Sequence, residues 1–445
     1  MIQFLLDVFD LYPDSDALIW QDKSYTYKWI SDRIGYWREE LKKQSISAGE
    51  VVVLEADFSP NSISLFLALV EARCILVPMT FSVRNKREEF IEVAQVERGI
   101  MIDDDDNVSF EKYNIAANHE LYLSLRERQH PGLVLFSSGS TGKSKAALHD
   151  MVGILEKFKT RKKQLRAITF LLYDHIGGVN TMLYVLSNAG CIVTVSDRRP
   201  ETVLMLVEKH KVELLPTSPT FINLILISES YKKYNLSSLK VVTYGTEPMP
   251  ESTLKKFHDL FPSITLQQTY GLSEIGILRS KSKNSDSLWV KVGGEGFQIR
   301  IVDGLLEIKA ASAMLGYLNA PSPFTKDGWF MTNDEVEVDG EYIRILGRKS
   351  EIINVGGEKV YPAEVESVIQ ELDNVAEVTV FSEKNAITGN MVCAKVRLVD
   401  KEDPKEFALR LKKYCKDKLQ PFKIPVRITI DSEPQFSDRF KKKRI

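Results

Sequence analysis

The densest run of phosphate-handling side chains lies at Leu133-Val-Leu-Phe-Ser-Ser-Gly-Ser-Thr-Gly-Lys-Ser-Lys145. An apolar stretch leads into a loop with five hydroxyls, two glycines and two lysines. Glycine lets backbone N–H groups approach an anion, hydroxyls add donors, and lysines add charge. That combination is suited to holding phosphate. Gly142-Lys143-Ser144 matches the close of the Walker loop G-x-x-x-x-G-K-S/T, but Ser137 stands where its first glycine is required. Three further groups of reactive residues follow: Gln268-Thr-Tyr-Gly-Leu-Ser-Glu274, Trp329-Phe-Met-Thr-Asn-Asp334 with Gly347-Arg348 behind it, and a basic run at Lys441-Lys-Lys-Arg444.

The elements that must position these residues follow from the apolar pattern. Val51–Leu54, Cys74–Val77 before Pro78, Ala167–Leu172, Cys191–Val195 and Leu239–Tyr244 read as strands. Asn61–Glu71, Val179–Ser187, Pro200–His210 and Glu251–Leu260 read as helices between them. Such alternation predicts α/β layers with mainly parallel strands. From about Val290 short alternating strands separated by Asp303-Gly304 and Asp339-Gly340 predict an antiparallel sheet or small barrel. Beyond Gly347-Arg348 a helix at Pro362–Glu371, strands at Ala376–Phe381 and Met391–Val399, and a helix at Pro404–Leu419 predict a second domain. The acidic run Asp103–Asp106 reads as a solvated turn.

Composition narrows the class. The chain has 445 residues, 44% hydrophobic and 27% charged, as in ordinary globular proteins. Lys and Arg total 59 against 61 acids, so no basic excess points to nucleic acid. Four widely spaced cysteines (Cys74, Cys191, Cys393, Cys415) form no CxxC pair, which fits a reducing, cytoplasmic setting. The N-terminus has no signal-peptide pattern, and Ile176–Ser196, the longest uncharged stretch, carries too many glycines and polar groups for a membrane span.

Taken together and in order, the motifs resemble those of the adenylate-forming superfamily of acyl-CoA synthetases and adenylation domains. Ser137-Ser-Gly-Ser-Thr-Gly142 with Lys145 is similar to the family's phosphate loop, with Ser144 replacing a proline and Ala146 a glycine. Tyr270-Gly-Leu-Ser-Glu274 resembles Y-G-x-T-E, Trp329–Asp334 resembles W-x-x-T-G-D, and Val355–Glu366 resembles the segment after the family's hinge. Ser24–Tyr27, Gly304–Ile308 and Gly316–Asn319 fit as well.

The resemblance implies a large N-terminal AMP-binding domain at 1–347 and a small mobile α+β C-terminal domain at 348–445. It implies attack of a carboxylate on the α-phosphate of ATP, giving an acyl-adenylate and pyrophosphate, then transfer to a thiol. Ser138, Gly139, Ser140, Thr141, Gly142 and Lys145 would hold the β- and γ-phosphates. Ser273 would reach the α-phosphate and Glu274 would ligate Mg²⁺ through a hard oxygen. Gly245, Thr246 and Glu247 would form the adenine-pocket turn and Tyr270 would pack on adenine. Asp334 would accept from the ribose hydroxyls, with Arg348 beside it. Ser350 stands at the hinge position, where the family has Asp or Lys, and Gly356 and Gly357 would line the thiol's path. The family's C-terminal catalytic lysine falls on Lys441 after a one-residue shift, while an unshifted match puts Phe440 there. Lys441–Arg444 would otherwise be a solvated basic tail.

Tyr173-Asp-His-Ile-Gly-Gly178 resembles the H-x-x-G of acyl- and aryl-CoA ligases, with His175 as acyl gate and Gly178 completing the motif. A rival alignment puts Asp174 on a substrate amino group. Val179, Met182, Leu183 and Leu186 suggest either a hydrophobic acid pocket or core. The thiol would be free CoA or the phosphopantetheine of a separate acyl carrier protein. The competing readings are an amino-acid or carrier-only adenylating enzyme, a non-catalytic nucleotide-binding relative, and a P-loop NTPase, which Ser137 disfavours.

Overall fold

The computed structural model describes residues 1–138 (Ser138 by its backbone), 144–294, 296–437 and 440–443. Two seven-stranded sheets form its largest part. In one, the strands Thr265–Gln268, Val241–Tyr244, Leu214–Thr217, Arg166–Ile168, Cys191–Val193 and Asp16–Trp20 run parallel, and Lys23–Thr26 closes the edge as a hairpin. In the other, Gly132–Ser138, Ile75–Met79, Val51–Glu55 and Arg98–Ile102 are parallel, with antiparallel strands at both ends. Runs such as Val51-Val-Val-Leu54 are continuous because both faces of these strands are covered.

The helices Pro60–Glu71 and Ile176–Ser187 lie in the apolar cluster that joins the two sheets. Every residue from Pro60 to Val70 is buried, as expected of a helix that is apolar all round. Its start is fixed by Pro60 in the first turn and by a reciprocal cap: Ser62 N–H donates to Ser59 Oγ and Ser59 N–H to Ser62 Oγ. Val179, Met182, Leu183 and Leu186 are all 0% exposed in this cluster, so their apolarity serves packing.

A six-stranded antiparallel sheet follows, as the Asp-Gly turns predict. Asp303 and Gly304 both take positive φ, the geometry of a tight two-residue hairpin. Within this sheet Phe330–Asp339 pairs with Tyr342–Arg348 in a register that sets Asp334 opposite Arg348. The segment from Ile353 to Ile430 has its own apolar cluster, built by the helices Pro362–Gln370 and Pro404–Lys416 on the strands Val375–Asn385, Gly389–Leu398 and Arg427–Ile430.

Two local expectations are corrected. The strand expected to stop before Pro78 runs through it to Met79, in register with Leu54 and Glu55. Asp106 is not simply solvated: its carboxylate accepts from Asn61 N–H at 3.1 Å in the first turn of the buried helix, and burial raises its pKa. All four cysteines are buried and free. Among the described residues, no helix is long and apolar enough to cross a membrane.

Candidate active site

The phosphate loop leaves the strand Gly132–Ser138 and returns on Ser144–Asp150, an antiparallel pair that sets Ser138 opposite Ser144. Its C-terminal flank is braced: the Asn319 side chain donates to Ser144 O and accepts from Ala146 N–H, and Lys86 donates to Ser144 Oγ. Gly139, Ser140, Thr141, Gly142 and the Ser138 side chain lie outside the described residues. Lys145 is described, with Nζ 5.3 Å from the centroid of the Tyr317 ring, a cation–π contact.

Tyr317 links that lysine to the predicted metal ligand. Its hydroxyl donates to Glu274 Oε1 at 2.7 Å, and Ser137 Oγ reaches the same oxygen at 3.4 Å. Burial and the Glu274 charge push the Tyr317 phenol far above its usual pKa, so it stays a donor. Among the described residues no three His, Cys, Asp or Glu side chains form a metal cage. A lone carboxylate suits Mg²⁺, which keeps waters and phosphate oxygens and takes one or two carboxylates from a protein.

Neighbouring Ser273 is held through its carbonyl, which faces His149 Nε2 at 2.5 Å. Sequence reasoning passed over His149, which is fully buried and kept toward its neutral form by that burial. A neutral ring has one N–H, and the short contact to Ser273 uses it better than the 3.3 Å approach of Ser312 O to Nδ1.

Asp334 is 6% exposed. Tyr270 donates its hydroxyl to Oδ2, and Arg348 Nε stands 3.4 Å from Oδ1. Burial holds this carboxyl above the usual carboxylate range, against the opposing pull of Arg348 and the Tyr270 hydrogen bond. Tyr270 itself is buried in the cluster under the antiparallel sheet.

A second group of residues surrounds an open cavity of about 320 Å³ lined by Phe170, Leu171, Leu172, His175, Arg198, Thr246, Phe440 and Lys441. His175 and Lys441, 266 residues apart by number, therefore face one space. His175 caps the helix Ile176–Ser187, its Nδ1 accepting from Gly177 N–H at 3.0 Å. Gly178 permits a close approach: a Cβ there would stand 2.0 Å from Leu172 O. The rival candidate Asp174 is buried, with Thr80 Oγ1 donating to its Oδ2. Gly245 packs where a Cβ would meet Thr269 O at 2.7 Å. Thr246 has φ +74°, costly for a β-branched residue and found mostly where function demands it.

Lys441 and Lys442 are half-buried rather than part of a solvated tail, whereas Lys443 is exposed. Phe440 packs on Phe170, Phe221 and Phe436, and its carbonyl accepts from Ser218 Oγ at 2.7 Å. Lys442 pairs with Glu366 at 2.7 Å and its side chain is 19% exposed. Glu247 anchors this segment: Oε1 accepts from Thr220 N–H and Oγ1, and Oε2 accepts from Lys442 N–H at 2.9 Å. Nothing in the sequence flags Glu247 as a clasp, because its partners lie 27 and 195 residues away. Gly356 and Gly357 form an exposed turn with φ +61° and +97° and line neither of the described cavities. Nearby Lys359 and Tyr361 both reach Glu335, next to Asp334.

The AMP-binding enzyme family model matches residues 80–310, and the AMP-binding enzyme C-terminal domain model matches 364–435. The indoleacetate–CoA ligase of Aromatoleum aromaticum is 29% identical over 60% of this chain, which spans only 57% of that enzyme's length. The 2-succinylbenzoate–CoA ligase of Enterococcus faecalis is 24% identical over 94% of this chain and 92% of its own. The anthranilate CoA ligase AuaEII, solved with anthranoyl-AMP, superposes with a TM-score of 0.83 over 99% of this chain and 95% of its own at 18% identity, a likeness of fold. The first family model alone covers more than half of the residues, and the chain belongs to the AMP-binding enzyme family.

Proposed function

We propose that this protein is an AMP-forming acid–thiol ligase. It activates a carboxylic acid with ATP as an acyl-adenylate, releases pyrophosphate, and passes the acyl group to CoA or to a carrier protein's phosphopantetheine. The observation that carries the reading is Lys441, held by a clasped segment against the cavity of His175 and Thr246. A carboxylate attacking a phosphate develops negative charge, and a cation delivered to that point stabilises it.

The other residues take matching roles. Asp334, oriented by Tyr270 and Arg348, accepts from ribose. Lys145 and the loop 138–142 receive the phosphates, and Ser273 adds a hydroxyl at the α-phosphate. Glu274 would hold Mg²⁺, which neutralises phosphate charge when bound. The pocket turn Gly245–Glu247 borders adenine, and His175 with Gly178 gates the acid. Residues 348–445 form the mobile unit, turning about Ser350, and Gly356 and Gly357 meet the thiol after that rotation. The four buried thiols suit a reducing cytoplasm.

Carboxylate-dependent exchange of labelled pyrophosphate into ATP, run over a panel of aliphatic and aromatic acids, tests the proposal. Exchange with at least one acid is expected. No exchange with any acid, alongside measurable ATP binding, would leave a nucleotide-binding protein without this chemistry.

A further inference from the structure

Phe440 and Lys441 are consecutive in the chain, and both line the cavity of His175 and Thr246. In an extended strand neighbouring side chains point to opposite sides. Here a turn brings the two together. Phe440 has φ +50°. Its N–H donates to Ser437 O at 2.8 Å, and Ser437 N–H donates to Lys441 O at 2.9 Å. Left-handed backbone at an aromatic residue is costly and clusters where function maintains it. The roles above use the lysine and leave the ring unexplained.

The ring belongs to the apolar part of the cavity. Phe170, Leu171, Leu172 and Phe440 make up half of the lining residues, and the surface they share is mostly apolar. The Phe440 centroid lies 5.2 Å from that of Phe170, 5.5 Å from Phe221 and 5.6 Å from Phe436. Phe221 is fully buried in the helix Pro219–Ser228, so the Phe440 ring stands between the open cavity and the interior. Arg198 also lines the cavity, but its charge is already met: Nη1 and Nη2 each stand 3.3 Å from Asp57 Oδ2, and Nε donates to Phe170 O at 2.9 Å. A second charge on the acid therefore finds no waiting partner at Arg198, while an apolar body finds four apolar neighbours.

We propose that Phe440 determines which acids are activated. With the carboxylate beside Lys441, the acid's body lies against Phe170, Leu171 and Leu172, and the Phe440 ring ends the space. The site thus takes monocarboxylic acids with a compact, uncharged apolar body, such as a single ring or a short chain, and turns away extended ones. The inference rests on the acid-activating reading. Ring and cation are carried on one segment, so the charge that promotes adenylate formation arrives together with the wall that selects the acid.

The test measures pyrophosphate exchange with benzoate against biphenyl-4-carboxylate, and with hexanoate against dodecanoate, for the wild type, Phe440→Ala and Phe440→Leu. The wild type should prefer the smaller acid of each pair in kcat/KM. In Phe440→Ala the large-to-small ratio should rise about tenfold or more, the worth of a few apolar carbons in a pocket, with Phe440→Leu between. A merely loosened segment slows all acids alike and leaves the ratio unmoved. A wild type that prefers the larger acid in both pairs, or a ratio unchanged in Phe440→Ala, overturns the proposal and leaves acid activation standing. If no acid supports exchange with the wild type, the activity reading fails, and thermal shift decides the wall separately; it also decides if only the variants lose exchange. Biphenyl-4-carboxylate should then raise the melting temperature of Phe440→Ala, or of Phe440→Leu where the alanine variant does not fold, more than that of the wild type. An equal shift in wild type and variant, or none in either, overturns it.

Discussion

Tyr270 and Asp334 meet in a buried hydrogen bond of 2.5 Å, formed between residues 64 positions apart. The bond fixes the aspartate, burial biases it toward its protonated form, and Arg348 and the Tyr270 hydroxyl favour the charged one. A carboxylate kept under those conditions is poorly placed for stability and well placed to accept hydrogen bonds from a ligand.

Asp334→Asn should separate those two effects. The native pKa of Asp334 is raised above its unfolded value, so its contribution to stability is present below the unfolded pKa and lost as pH rises through the native one. Relative to wild type, the asparagine variant should gain stability on going from pH 4 to pH 8, as read by urea denaturation at both. Its ATP affinity at pH 8 should drop by tenfold or more, since each bond to a charged acceptor contributes ~1.5–3 kcal/mol. Calorimetry showing unchanged affinity would remove Asp334 from the nucleotide site.

Glu274→Gln keeps shape and removes charge. Adenylation should fall on the order of 10²-fold, with recovery only at higher Mg²⁺. Tyr317→Phe, which deletes the 2.7 Å donor to Oε1, should give a smaller loss of about tenfold. Mg²⁺ titrations of both variants check the order.

Lys441→Ala should abolish adenylate formation, with a loss on the order of 10²–10³, yet spare thioester formation from a presynthesised acyl-adenylate. Lys442→Ala should also slow the first step, because Lys442 ties the segment to Glu366. Lys443→Ala should have little effect. Equal behaviour of all three in single-turnover assays of each half-reaction would mean that Lys441 has no special part.

Glu247→Ala should mimic a loosened C-terminal segment. Losing the acceptor of Lys442 N–H costs ~1.5–3 kcal/mol in the docked pose, tenfold or more in its population. The first half-reaction should slow, and the second should not. A fluorescent probe on the segment should report faster release than in wild type.

The layered α/β architecture was legible because strands buried on both faces are uninterrupted runs of Val, Ile and Leu, and helices such as Pro200–His210 and Glu251–Leu260 carry clear breaks at both ends. Short motifs located Asp334, Arg348 and Glu274. They could not reveal Tyr317 as the link between Lys145 and Glu274, or His149 behind Ser273, since each acts through partners distant in sequence. The basic run at Lys441–Arg444 left two readings open, a catalytic Lys441 and a solvated tail. By composition it is a surface tail; the packing of neighbouring Phe440 on Phe170 and Phe221 and the bond from Lys442 N–H to Glu247 hold its described part against the fold.

Phe440 carries one further consequence. It adopts φ +50°, a conformation disfavoured for an aromatic residue, and is held there by three other rings and the Ser218 bond. If the segment departs as proposed, that backbone would relax, and Phe170 and Phe221, now 2% and 0% exposed, would be uncovered. Departure would thus release torsional strain, which favours opening, and wet aromatic surface, which opposes it. A joint balanced in this way needs little extra free energy to change state. A substrate group that fills the space left by Phe440 would bias it toward opening, so the identity of the bound acid would help set the tempo of each cycle.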